Sequence, residues 1–95
     1  MKRLIFFEDL FFSGCQGISP WGIIEGDPLL VYAEKQFINQ SEKLIIMADS
    51  SKFTTRKSII MCPLEKVDTV PTDEHIDDDS CKMLSDAGVE LIIAR

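Results

Sequence analysis

The chain has 95 residues, enough for one small domain, and we treat residues 1–95 as a single unit. Hydrophobic residues make up 45% and charged residues 27%, which is typical of a globular protein and not of a disordered one. Sixteen acidic against ten basic residues give a net charge of −6, and the basic residues are scattered. The chain therefore has no electrostatic footprint for binding DNA or RNA by itself. Its longest apolar run is five residues, which excludes a membrane-spanning helix.

The three cysteines, Cys15, Cys62 and Cys81, are odd in number and far apart. No CxxC pair or Cys/His cluster indicates zinc, and an odd count disfavours a secreted disulfide framework. Apolar residues lie within three positions of each cysteine. We therefore expect three reduced, buried thiols, no cofactor and a cytoplasmic location.

The first half of the chain predicts a strand, a long loop and a helix. Leu10-Phe11-Phe12 predicts a buried strand that runs into a glycine-hinged loop extending to Gly22. Asp27-Pro28 predicts a helix start, because aspartate caps helices and proline suits the first helical position. The apolar face of this helix, which should end near Ser41, is predicted to contain Leu30, Ala33, Phe37 and Ile38.

The second half predicts three strands, a helix and a last strand. The strands are predicted at Leu44–Ala48, Ser58–Cys62, Val67–Val70 and Val89–Ala94. The helix should begin at Asp77 to Asp79, turn Cys81 and Leu84 inward, and end at Gly88. This order predicts an α/β fold, with a partly parallel sheet flanked by helices.

Three loops each follow a predicted strand: residues 13–19, 49–56 and 71–75. If these strands are parallel, the loops emerge at one edge of the sheet and line a shared crevice. Lys52, Arg56 and Lys57 would supply positive charge there, beside the hydroxyls of serines and threonines. This mixture suits a phosphate with sugar hydroxyls, although it also suits an ordinary solvated turn.

The other candidate sites have weaker signals. Gly14 and Gly17 lack the third glycine and the following helix of a dinucleotide-binding fingerprint. His75 has no serine or cysteine partner at a motif spacing, so we interpret it as a loop residue. Nothing near Cys15 in sequence would lower its pKa, which favours a packed cysteine over a nucleophile. The aspartates at 77–79 suit the dipole of a helix start, and they lack the spacing of a calcium loop.

Taken together, "DLFFSGCQGIS" (9–19), "LIIMADSSKF" (44–53) and "CPLEKVDTVPTDE" (62–74) resemble the C-terminal sensor domain of DeoR-family bacterial transcription regulators in order and spacing. "AGVELIIA" (87–94) resembles the closing strand of that domain. The resemblance implies the fold of ribose phosphate isomerases and aminosugar phosphate deaminases, present here only as its C-terminal portion. It also implies a phosphorylated sugar effector, and DNA binding only through a winged helix-turn-helix domain that these 95 residues lack.

The resemblance places Lys52 at the sugar phosphate, and we take the surrounding loop residues as effector-binding: Asp49, Ser50, Ser51, Gln16 and Gly17. The acid/base motif Asp-Gly-His of the related deaminases is replaced here by Gln16, Gly17 and Ile18. Neither glutamine nor isoleucine can transfer a proton near neutral pH, so we expect no catalysis. Thr54 stands at a position where the family commonly has glycine. Glu34 stands at a position where the family has a lysine, so we assign no role of that lysine to this chain.

Two other functions remain open. A small isomerase or deaminase would need a base, which only Asp49, Asp73, Glu74 or His75 could supply from loop positions. The second alternative is that the chain is a fragment with a purely structural role in assembly. We also expect self-association, as a dimer or larger, because missing parts of the parent domain should leave apolar strands exposed. The residues expected at contacts between chains are Phe6, Phe7, Phe11, Phe12, Trp21 and Ile59 to Met61.

Overall fold

The computed structural model describes residues 10–54 and 59–94 in full and residues 4–6 as backbone only. Ser58, predicted to begin a strand, and Phe7, predicted at an interchain contact, lie outside the described residues, as does the side chain of Phe6. The helices and strands are, in chain order, β1 (Leu4–Phe6), β2 (Leu10–Ser13), β3 (Gly17–Ser19), β4 (Gly22–Ile24), α1 (Pro28–Gln40), β5 (Lys43–Ile46), β6 (Ile60–Cys62), β7 (Thr69–Asp73), α2 (Asp78–Asp86) and β8 (Glu90–Ala94).

The larger of two sheets has the strand order β1-β2-β5-β7-β8. Strands β2, β5, β7 and β8 are parallel, and β1 pairs with β2 in the antiparallel direction. Parallel neighbours need a crossover connection, and the connections that lead into β5 and β8 carry α1 and α2. The predicted α/β fold with a partly parallel sheet flanked by helices is therefore confirmed.

The smaller sheet has the order β3-β4-β6 and is antiparallel. The predicted loop through Gly22 is wrong here, because β3 and β4 form a hairpin whose turn is Pro20-Trp21. Gly22 has φ +136°, and a Cβ at this residue would lie 2.2 Å from the Cys62 carbonyl oxygen. Only glycine therefore lets β4 approach β6 this closely.

Helix α1 begins as predicted, since Asp27 Oδ1 accepts hydrogen bonds from the Leu29 and Leu30 N–H groups at 3.0 and 3.4 Å. Its predicted inner face is partly wrong. Ala33 is exposed and Leu30 is half-buried, whereas the buried side chains are those of Val31, Glu34 and Ile38.

Glu34 turns inward because it has a partner in the sheet. Ser13 Oγ, at the end of β2, donates a hydrogen bond to Glu34 Oε2 at 2.5 Å. Both side chains are fully buried. A buried carboxyl group without such a partner would strongly destabilise the fold, so this hydrogen bond helps to set the rotation of α1 on the sheet.

Helix α2 also begins and ends as predicted. Asp77 accepts a hydrogen bond from the Ser80 N–H at 2.7 Å, and Gly88 adopts φ +79° just after the helix. Leu84 is fully buried beneath it, while Cys81 is half-buried. The strand before this helix lies further along the chain than predicted, at Thr69–Asp73 instead of Val67–Val70, so part of the predicted loop at 71–75 is strand.

The core lies between the sheets and the helices, and it corrects two expectations. Phe11 is fully buried and Met61 nearly so, so neither is exposed for contact with another chain, and Phe12 and Ile60 are half-buried. The ring of Phe11 packs against that of Phe37 on α1 at a centroid distance of 5.5 Å. The three cysteines are free thiols, but only Cys62 is buried, while Cys15 and Cys81 are half-buried.

Candidate functional site

The carboxyl ends of β2, β5 and β7 meet at one edge of the larger sheet. Just beyond β5, the Met47 N–H donates to the Ser13 carbonyl at 2.9 Å, and the Ala48 N–H donates to the Pro71 carbonyl at 3.2 Å. These two bonds join the segment after β5 to the strands on either side. The predicted convergence of the three loops at one edge is therefore confirmed.

The segment after β5 forms a short 3₁₀ turn at Ser50–Lys52. Asp49 caps this turn: its Oδ1 accepts hydrogen bonds from the Ser51 N–H, at 2.9 Å, and from the Ser51 hydroxyl. The Lys52 N–H donates to the Asp49 carbonyl at 3.1 Å. The hydrogen bonds from Ser51 hold the pKa of Asp49 below its usual value. Lys52 itself is half-buried.

Asp73, at the end of β7, fixes the turn from the neighbouring strand. Its Oδ2 accepts from the Ser50 N–H at 2.9 Å, and its Oδ1 accepts from the His75 N–H, also at 2.9 Å. These two backbone hydrogen bonds, with a further one from the Ser50 hydroxyl, lower the pKa of Asp73. The sequence interpretation considered Asp73 only as a possible base. Asp73 also accepts from the His75 N–H two residues further along, a local turn pattern that is typical of aspartate. This pattern was the sequence signal that could have indicated a structural role for Asp73.

Gly17 lies against the turn. A Cβ at Gly17 would stand 3.2 Å from Thr54 Cγ2 and 3.3 Å from the Lys52 carbonyl oxygen, so glycine permits a close backbone approach. Next to it, Ile18 pairs with Phe53 in an isolated parallel bridge, and the Thr54 N–H donates to the Ile18 carbonyl at 2.9 Å. The loop after β2 and the turn after β5 are thus in direct contact, as the sequence interpretation required.

Gln16 lies on the other side of this contact. It is exposed, its N–H donates to the Ile24 carbonyl at 3.1 Å, and its Oε1 would lie 2.7 Å from a Cβ at Gly26. The side chain therefore packs beside the segment between β4 and α1. Among the six predicted effector-binding residues, five form or contact the turn, and Gln16 is placed beside a neighbouring cleft.

That cleft has a volume of about 520 Å³ and adjoins the same edge of the sheet. Its lining comes from the loop after β2, the segment before α1, α1 itself and the residue after β5, namely Gly14, Cys15, Gln16, Glu25, Asp27, Leu30 and Met47. A second cleft of similar volume extends from Phe53 and Thr54 to the start of α2. The residues of the turn line neither cleft, and in the chain they lie between Met47 of the first and Phe53 of the second.

Glu25 is a residue that sequence reasoning missed. Only 2% of it is exposed, and its Oε1 accepts a hydrogen bond from the Asp27 N–H at 3.4 Å. The one signal in the sequence was its position between a glycine- and isoleucine-rich segment and a helix cap.

Three further residues named in the sequence interpretation cannot be placed at this site, and the described residues hold neither a metal cluster nor a membrane span. Arg56 and Lys57, predicted to add positive charge, and Thr55 lie outside the described residues. Within residues 10–54 and 59–94, no group of three or more histidine, cysteine, aspartate or glutamate side chains is arranged to bind a metal ion. In the same part of the chain, no helix has the length and apolar character needed to cross a membrane.

Residues 5–74 match the model of a protein family described as the DeoR C terminal sensor domain. The chain belongs to this family. It is similar to the HTH-type transcriptional regulator UlaR of Shigella dysenteriae serotype 1 (strain Sd197), with 24% identity over 81 residues. The aligned region covers 85% of this chain and 32% of that regulator, so the chain spans about a third of its relative's length. Membership of a sensor-domain family gives the chain a regulatory, effector-binding role.

Proposed function

We propose that this chain is the effector-binding part of a DeoR-type transcription regulator and that its effector is a phosphorylated sugar. The observation that carries this proposal is the position of Lys52, on a turn fixed at the carboxyl edge of parallel strands by Asp49 and Asp73. Ligands of open α/β sheets bind at this edge. The regulator would act in the cytoplasm, and it would contact DNA through a helix-turn-helix domain outside these 95 residues.

The hydrogen bonds of the turn determine which groups can hold a phosphate. The backbone N–H groups of Ser50, Ser51 and Lys52 already donate within the protein. The Ser51 hydroxyl donates to Asp49, and the Ser50 hydroxyl helps to lower the pKa of Asp73. The side chain of Lys52 therefore carries the charge-assisted contact, and the two aspartates position it indirectly by fixing the turn.

The same geometry favours sensing over catalysis. Ile18, at the position of the histidine in the related deaminases, is fully buried and pairs with Ile23 in the hairpin. The carboxylates of Asp49 and Asp73 already accept hydrogen bonds that lower their pKa, which makes both of them weak bases. A sugar phosphate bound here is expected to be released unchanged.

Self-association is a further part of the proposal, and apart from Trp21 it now rests on different residues. Strand β8 lies at the edge of the larger sheet, and Ile92 and Ile93 on it are exposed, as is Trp21 of the hairpin. An exposed edge strand with apolar side chains favours pairing with another chain. Light scattering over a dilution series tests this, and a folded species of 10.7 kDa at every concentration would contradict it.

Calorimetric titration with pentose and hexose phosphates tests the effector site. Lys52→Ala should weaken binding by about 1.5–3 kcal/mol, or roughly 10- to 150-fold, because it removes a hydrogen bond to a charged group. Lys43→Ala is the matched control, since Lys43 is exposed at the opposite end of β5. An unchanged dissociation constant for Lys52→Ala would indicate that the turn is an ordinary solvated turn with no role in binding the ligand. Conversion of the sugar phosphate, followed by NMR, would favour the enzymatic alternative.

A further inference from the structure

Both helices pack on the same face of the larger sheet. After β2, the parallel strands β5, β7 and β8 are each added on the same side of the strand before, and crossovers between parallel strands are right-handed. Connections that advance in one direction with one handedness lie on one face of a sheet. The contacts agree, because Phe11 packs against α1 and shares its apolar core with Leu84 of α2. The opposite face of the sheet receives neither helix.

The opposite face carries the side chains that alternate with those of the core. In β2, Phe11 and Ser13 contact α1, so Leu10 and Phe12 point the other way. The strand registers extend this alternation across the sheet, since register partners point to the same face. On β2, β5 and β7 the side chains that face the helices are all buried: Phe11, Ser13, Leu44, Ile46, Val70 and Thr72. Of the described side chains on the opposite face, none is buried, and Ile92 is 49% exposed.

The apolar side chains of this opposite face form a diagonal stripe, namely Leu10, Phe12, Ile45, Pro71 and Ile92. From Leu10 to Ile92 the registers advance three strands across the sheet and four residues along it, two on β5 and two on β7. With strands about 4.8 Å apart and about 3.3 Å per residue, the stripe is roughly 20 Å long and lies at about 45° to the strands. Ile45 lies near its middle. A contiguous apolar patch on a folded protein marks an interaction surface.

Two opposite charges flank the stripe on one side. Lys43 stands at the start of β5 and Glu90 at the start of β8, and both are exposed. Thr69 Oγ1 donates to Glu90 Oε1 at 3.2 Å, as expected of two register partners on the same face. From Lys43 to Glu90 the registers advance two strands and two residues, so the line that joins them is nearly parallel to the stripe. The two charges lie about equally far from the middle of the stripe, in opposite directions.

These positions match one another under a two-fold axis that crosses the stripe at its middle, in the plane of the face. Rotation about this axis exchanges the ends of the stripe, so Leu10 faces Ile92 of a second copy and Ile45 faces its own equivalent. The same rotation sets Lys43 opposite Glu90 of the second copy. Because the stripe lies at about 45° to the strands, the strands of the two sheets cross at about 90°, which is one of the two ways in which sheets pack face to face.

We infer that the stripe is the interface of a homodimer, in which two copies of this chain pack these sheet faces together around that axis. Parallel sheets occur almost only with both faces covered, and the second copy supplies the missing cover. Four strands about 4.8 Å apart and about 15 Å long give roughly 300 Å² of face per copy, so the dimer is small and its formation depends on concentration. This inference rests on the self-association proposed above and assigns it to a face instead of the edge of β8.

Two neighbouring isoleucines provide the first test. Ile92 belongs to the stripe, whereas Ile93 pairs with Thr72 on the side of the helices, and both isoleucines are exposed. Ile92→Lys should weaken association at least about tenfold, because it places a charge in the apolar contact. Ile93→Lys, at the same edge strand, should change it by no more than about twofold. Sedimentation velocity over a dilution series measures both, and circular dichroism checks that both variants fold.

An exchange of charges tests the two-fold arrangement. Lys43→Glu and Glu90→Lys should each weaken association about twofold or more, since each sets like charges opposite one another. The double variant restores the pair with its signs exchanged, so its dissociation constant should return to within about twofold of the wild-type value. Since Lys43 lies on this face and away from the turn, Lys43→Ala remains the control for effector binding at concentrations where the chain is a monomer.

The outcomes separate the face from the edge of β8 and from the effector. Equal losses in Ile92→Lys and Ile93→Lys, or association that neither variant weakens, would overturn the face and leave pairing at the edge. A double charge variant that does not recover would overturn the two-fold arrangement and the inference with it. A folded monomer at every concentration would rule out both forms of association, and the stripe would then fit an amphipathic helix of a different protein. The sugar phosphate effector is decided separately, by the titration of Lys52→Ala.

Discussion

The most exacting test of the fold is replacement of Gly22 by alanine. Gly22 has φ +136°, and its added Cβ would stand 2.2 Å from the Cys62 carbonyl oxygen and 3.0 Å from the Pro63 Cα. Both contacts are with backbone atoms, which cannot rotate away as a flexible side chain would. The hairpin or β6 must therefore move, and the pairing of β4 with β6 must weaken.

The expected loss is the sum of two effects. A non-glycine residue in this backbone region costs about 1–3 kcal/mol, and forcing an extra methyl group into a packed site costs about 1–3 kcal/mol more. Together they amount to about 2–6 kcal/mol, against a total stability of about 5–14 kcal/mol for a domain of 95 residues. The midpoint of thermal unfolding should fall by at least about 8 °C.

Gly88→Ala is the matched control. Gly88 also has a positive φ, +79°, but a Cβ there would meet nothing within 4 Å. It should cost only the conformational penalty of about 1–2 kcal/mol. Urea unfolding followed by far-ultraviolet circular dichroism measures both variants without relying on Trp21, which adjoins Gly22. Equal losses in the two variants would refute the close approach of β4 and β6.

Further predictions concern three side chains: Thr72, Asp73 and Cys62. Thr72→Val should raise the free energy of unfolding by about 1 kcal/mol, because it removes a buried hydroxyl without a partner among the described residues; a less stable variant in urea unfolding would contradict this. Asp73→Ala should speed amide hydrogen exchange at Ser50, measured by NMR, and exchange at the wild-type rate would show that Asp73 does not fix the turn. In the wild type, the pKa of Asp73 is lower in the folded chain than its ordinary value of 3.8. The contribution of Asp73 to the free energy of unfolding is therefore present above about pH 3.8 and is lost as the pH falls through the folded-state pKa. At pH 9, Cys62 should react with iodoacetamide more slowly than Cys81, because burial raises the pKa of Cys62 to about 11; equal rates would argue against its burial.

Features that depend on local chemistry were predictable from the sequence. Asp27 before Pro28, and Asp77 followed by Gly88, predicted both helices, because capping and helix termination involve residues close together in the chain. The position of Lys52 just beyond an apolar strand also predicted that the turn would lie at an edge of the sheet.

Features that depend on distant partners were not predictable in this way. The strands β3 and β4 are three residues each, too short for a periodic pattern, and Pro20-Trp21 is not a hairpin signature. The inner face of α1 includes Glu34, which hydrogen-bonds to Ser13 on a distant strand, and helical periodicity does not reveal such a partner. Glu25 was missed for the same reason, because tertiary packing alone determines that this carboxylate lies beneath a cleft.

The short bridge between Ile18 and Phe53 joins the smaller sheet to the chain segment that follows the turn, so the conformations of the two are coupled. Since the Thr54 N–H donates to the Ile18 carbonyl, a ligand that restrains residues 52–54 also restrains β3 and, through the hairpin, β4 and β6. Such coupling is reciprocal: a change in the hairpin that favours the ligand-bound arrangement raises ligand affinity by the same free energy. The hairpin contacts the turn through this bridge and through Gly17. If the proposed effector binds at the turn, the hairpin is thus one route by which its binding would be transmitted.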